Sequence, residues 1–112
     1  MLKASILENV EFSDGKPNIK VLLESDTTKE IRIAMKQNQE MREHKAPFSI
    51  VVEIVDGEID FGVNGKIENL KKGDLVSLEA NVPHSLKAIS DTIIRLSLNK
   101  KDKVTRVEGV VN

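Results

Sequence analysis

The sequence predicts a single all-β domain, a sandwich or barrel, and three observations carry that expectation. Apolar and polar residues alternate with period two over short stretches along most of the chain, which is the pattern of half-buried strands. Clusters of turn formers interrupt those stretches at close intervals: Ser13-Asp14-Gly15-Lys16-Pro17-Asn18, Asp56-Gly57, Asn64-Gly65 and Lys71-Lys72-Gly73-Asp74. No stretch carries a convincing helical repeat, so about eight to ten short strands account for the chain.

Taken in order, Ile6–Phe12 reads as a first short strand, closed by the Ser13–Asn18 turn cluster. Ile19, Val21 and Leu23 then alternate with Lys20, Leu22 and Glu24. After the polar turn Ser25-Asp26-Thr27-Thr28, Ile31, Ile33 and Met35 alternate with Arg32, Ala34 and Lys36, so the two segments form an antiparallel hairpin. Residues 37–42 are a polar loop leading into a strand over Met41–Lys45, which Pro47 ends or marks as an edge. Ile50, Val52 and Ile54 alternate with Val51, Glu53 and Val55 up to the Asp56-Gly57 turn. Ile59, Phe61 and Val63 come next. Asn64-Gly65 is a strong hairpin signal, since both residues tolerate the positive φ of a type I′ turn. Lys66–Leu70 returns, and Leu75–Leu78 is a compact apolar strand. His84, Leu86 and Ala88 share one face of the next strand, and Ile94, Leu96 and Leu98 one face of the last clear one. Asn99–Lys103 is a solvated run. Val104–Val111 reads as an edge strand, a partner-docking tail or a frayed end.

At 112 residues the chain forms one domain, 1–112, and buries roughly two thirds of its unfolded surface in one core. With 39% hydrophobic and 31% charged residues and a net charge of -1, it has an ordinary globular composition without the long-range field that draws nucleic acid or anionic membrane. The aromatics are Phe12, Phe48 and Phe61, too few for the stacking platforms of a single-strand binder. The absence of cysteine excludes disulfides, thiolate metal sites and cysteine nucleophiles. An early charge argues against a signal peptide and no apolar run has membrane-spanning length, so a cytoplasmic location is expected.

The stretch from His44 to His84 holds the only two histidines, one at each end. Gly73-Asp74, the apolar strand after it and Val82-Pro83-His84 resemble the "PGD…VPH" signature of the cupin superfamily, small double-stranded β-helix or jelly-roll barrels of the RmlC-like type. The resemblance covers about residues 36–98. In the family's first motif, His44 stands at the first histidine and Gly57 at the closing glycine. Asn38 and Asn81 stand where the family has glycines, and asparagine is the next most tolerant residue of left-handed backbone.

Cupin enzymes usually hold their metal with three histidines and a glutamate. On this register Ala46 takes the place of the second histidine and Ile50 that of the glutamate. Glu53 is an odd number of residues from Ile50 and is expected on the opposite face of its strand. The resemblance therefore implies that His44 and His84 face each other at the barrel mouth, as a partial site for a divalent metal (Zn, Fe, Mn, Ni or Cu) or as hydrogen-bonded histidines without one. Glu40, Glu43 and Glu79 lie near them in sequence, as outer acceptors or as solvated surface acids.

Met41, Ala46, Ile50, Val52, Phe61, Leu86 and Leu96 are expected to line an apolar pocket for a small or amphipathic ligand, or else simply to fill a small barrel. The expected function is a non-enzymatic ligand-binding or regulatory module with an incomplete metal site. The alternative is a metal-dependent dioxygenase or isomerase using His44 and His84. A homodimer is also expected. Val51, Val55, Leu22 and Ile93 are assigned to the outer face as an apolar patch, and the segments before Pro17 and after Lys103 lack evident partners within the chain.

Overall fold

A computed structural model describes residues 1–111. Among the described residues nine strands and one short helix occur in order: β1 (Asn18–Glu24), β2 (Thr28–Met35), β3 (Glu40–His44), β4 (Ile50–Asp56), β5 (Glu58–Val63), β6 (Lys66–Lys71), β7 (Leu75–Leu78), β8 (His84–Ala88), β9 (Thr92–Asn99) and α1 (Val104–Glu108). They build a jelly-roll of two antiparallel sheets, ordered β1-β2-β9-β4-β7 and β3-β8-β5-β6. The core lies between the sheets, where the alternating residues of both meet.

The period-two pattern decides which side chains go inside. In β4, Ile50, Val52 and Ile54 are buried, with Val52 opposite Leu96 and Ile54 opposite Ile94 on β9. In β8, His84, Leu86 and Ala88 are buried, with Leu86 opposite Phe61 on β5. Asn64 (φ 51°) and Gly65 (φ 75°) both take left-handed backbone and close the β5–β6 hairpin, as a type I′ turn requires. Asn38 and Asn81 also have positive φ, 73° and 67°, so asparagine supplies the turns expected there. Gly57, at φ +95°, carries the chain from one sheet to the other, and a Cβ there would stand 2.5 Å from the Asp91 carbonyl oxygen.

Four expectations are corrected. Ile6–Phe12 joins no ladder. Arg32, only 2% exposed, needs acceptors on the outer face of β2. The carbonyls of Ile6, Glu8 and Asn9 turn to its guanidinium, at 3.2, 3.0 and 3.2 Å, instead of pairing with a strand. Leu23 does not continue the inward row of Ile19 and Val21: a bulge places it opposite Glu30, and one extra residue exchanges the faces of the residues after it. Asp102 is not solvated; it is 2% exposed and its carboxylate receives two hydrogen bonds from Arg106, at 2.8 and 2.7 Å.

The fourth correction concerns Val104–Val111, which is neither strand nor frayed tail. It forms α1 and the turn after it, with Val107 and Val111 in the core. Val104, Val107 and Val111 stand at i, i+3 and i+7, a helical stripe too short to stand out against the strands. The segments before Pro17 and after Lys103 thus both have partners within the chain. Of the residues expected on the outer face of the five-stranded sheet, Val51, Val55 and Leu22 are half-buried and Ile93 is buried. The centre of that face is taken by Arg95, paired with Glu30 and Glu53 at 2.7 and 2.8 Å. Among the described residues no helix is long and apolar enough to cross a membrane.

Candidate functional site

β3 ends and β8 begins at the same point of the four-stranded sheet, and there His44 lies directly opposite His84. A register shift between Met41 and His44 turns the end of β3. The two imidazoles meet edge to face, centroids 4.2 Å apart and planes at 60°. Phe61 stacks beneath His84, at 5.8 Å and 29°. The register read from the two sequence motifs therefore brings together the two histidines that it placed together.

Each ring is oriented by its own strand end. His44 Nδ1 lies 2.6 Å from the Arg42 carbonyl oxygen and His84 Nδ1 lies 2.8 Å from that of Val82. A carbonyl only accepts, so each Nδ1 carries the proton and each Nε2 keeps a lone pair. Burial pushes His44 from 6.5 down to about 4; the Arg42 carbonyl opposes this, and the charges of His84, Arg106 and Arg42 add to it. Burial also lowers His84, against the Val82 carbonyl and with help from Arg106. Both rings are neutral at physiological pH, so both Nε2 atoms act as acceptors.

The two histidines sit on the wall of an apolar cavity. Met41, Ile50, Val52, Leu86 and Leu96 line it. Ala46 and Phe61 are buried in the core but do not line it. Ile33 and Ile94, paired across β2 and β9, belong to the wall, and inward alternation already marked both. Arg106 and Val107 complete it from α1, where only the short valine stripe gave a signal. The free volume is about 20 Å³, room for about one water.

The donor set does not fit a tightly held catalytic metal. Two imidazoles are one ligand short of the three that a catalytic zinc site keeps. Ala46 and Ile50 offer no donor side chain, and Glu53 faces outward against Arg95. Glu40 pairs with Lys87 at 3.8 Å, and Glu43 and Glu79 are exposed. Among the described residues no group of three or more His, Cys, Asp or Glu side chains is placed to hold an ion. The Arg106 cation on the same wall adds repulsion.

The family model described as "Cupin domain" matches residues 31–98, more than half of the chain. Among curated proteins none matches. An RmlC-like cupin protein from Desulfovibrio desulfuricans superimposes with a TM-score of 0.79 at 21% identity, over 88% of this chain and 96% of that one. An RmlC-like cupin from Shewanella frigidimarina gives 0.74 at 23% identity, over 86% and 88%. A cupin 2 conserved barrel domain protein from Leptotrichia buccalis is 32% identical over 83% of this chain and 45% of that one, with a TM-score of 0.73.

Proposed function

The chain belongs to the cupin domain family, and from that premise we propose that it is a non-enzymatic module that binds a small, largely apolar ligand in the barrel. The observation that carries this reading is the wall of the cavity. It offers two neutral, oriented imidazoles in a lining that is apolar apart from Arg106, with Ala46 and Ile50 at the positions where a cupin enzyme would place further metal ligands. A site of this kind recognises shape and one polar group. It offers neither the ligand set to activate a metal-bound water nor a carboxylate beside the histidines to act as a base.

A second reading, a metal-dependent dioxygenase or isomerase, draws support from one feature. Both Nδ1 atoms are tied to carbonyls, which is how metal-ligating histidines are usually oriented. The missing donors weigh against it.

Methyl NMR of the protein against a set of small amphipathic molecules separates the two. Saturable shifts are expected at Met41, Leu86 and Leu96, with oxygen uptake at background when Fe²⁺, Mn²⁺ or Ni²⁺ is supplied. Shifts scattered over the surface, or metal-dependent turnover, would contradict the ligand-binding reading.

A further inference from the structure

A cavity of about 20 Å³ admits a water but no organic molecule, and α1 supplies part of its wall through Arg106 and Val107. Val107, 1% exposed, extends from the helix into the core and forms one wall of the cavity. At five residues α1 is far shorter than a helix that stands alone. Its N-cap residue Lys103 makes no side-chain cap bond, and no acid occupies its first turn.

Beside the buried Val107 and Val111, hydrogen bonds and an ion pair hold the segment in place. Arg106 grips Asp102 and donates to the Lys45 carbonyl at 3.2 Å. The Arg42 amide donates to the Val110 carbonyl at 3.2 Å and the Arg42 side chain to that of Gly109 at 2.6 Å. No strand pair of either sheet includes residues 104–111. The ladders of the nine strands therefore contain no bond to the segment.

We infer that residues 104–111 are a displaceable plug, and that Val107 stands in the space a ligand would take. With the plug out, Ile33, Val52, Ile94 and Leu96 become the walls of a larger apolar pocket, with the two imidazoles on the same wall. Because both Nε2 atoms accept, the matching occupant is a small apolar molecule that carries a hydrogen-bond donor. The identity of the occupant rests on the ligand-binding reading above; the opening of the plug does not.

The chain has no cysteine, so Val107→Cys introduces one thiol on the plug, and Ala88→Cys introduces one deep in β8 that only global unfolding exposes. Thiol labelling of the full chain is read against urea. The expected result is labelling of the plug thiol ~100-fold faster than the β8 thiol, with a rate nearly flat in urea, since a local opening exposes little surface. Equal rates that rise together with urea would overturn the plug. Amide exchange on the unsubstituted chain gives the same decision without a variant. The Val110 amide, bonded to the Val107 carbonyl, should exchange well before the Ala88 amide, bonded to that of Gln39; equal protection overturns the plug. Millimolar phenol, apolar with one donor, should speed labelling at position 107 and leave position 88 unchanged. Fast labelling at 107 that phenol does not alter leaves the plug standing and overturns the choice of occupant.

Discussion

Phe61→Ala is expected to lower the stability of the domain by about 3–5 kcal/mol, the usual cost of emptying a buried aromatic site. Phe61 is 2% exposed. It lies on the inner face of β5, opposite Leu86 of β8 and Glu68 of β6. Its ring also supports His84 at 5.8 Å, so truncation opens a void beside a ring whose orientation defines the site. Strands on both sides hold the walls apart, which limits how far the void can collapse. Phe48 gives the contrast: it is half-buried in the loop before β4, and Phe48→Ala is expected to cost about 1 kcal/mol. Urea denaturation of both variants checks the pair. Equal losses would mean that Phe61 is not the aromatic that holds the core.

Acidification should destabilise the protein through His44. Unfolded, this histidine titrates near 6.5; folded, burial and neighbouring positive charge bring it to about 4. Between those values the unfolded chain binds the extra proton, so stability rises with pH there. The contribution is complete above pH 6.5, is lost as the pH falls, and levels off below pH 4. The ring is partly exposed, so solvent screening reduces this contribution to about 1–2 kcal/mol. His84 acts in the same direction. His44→Gln keeps a polar group and removes the titration of this ring, leaving that of His84, so its stability should vary less between pH 6.5 and 4 than that of the parent. Parallel pH profiles for the two proteins would show that His44 is solvated in the folded state.

Most of the barrel was legible because strands of a two-layer fold write their burial as period two. Ile50, Val52 and Ile54, or Leu86 and Ala88, are read without any knowledge of their partners, and Asn64-Gly65 declares its own turn. The meeting of His44 and His84 was legible for a different reason: two motifs of known relative register each placed one ring. What was not legible depends on a single distant partner. Arg32 looks like an outward strand residue, and nothing local to Ile6–Phe12 announces that its carbonyls accept hydrogen bonds from that buried guanidinium. The bulge before Leu23 is a one-residue event that leaves the alternation looking intact. Val107 belongs to a stripe of three valines, too short to register as a helix, yet it forms part of the cavity wall. Ala46 and Phe61 mark the limit of reading faces alone, because an inward side chain can fill the core without touching the cavity.

The claim that this cupin domain has two imidazoles in place of a metal centre is tested most directly by elemental analysis of the protein purified without a histidine tag. The expected result is far less than one divalent metal ion per chain, and no stoichiometric uptake when Zn²⁺ or Ni²⁺ is titrated into micromolar protein. One ion per chain, retained through dialysis and lost on His44→Ala or His84→Ala, would contradict the claim.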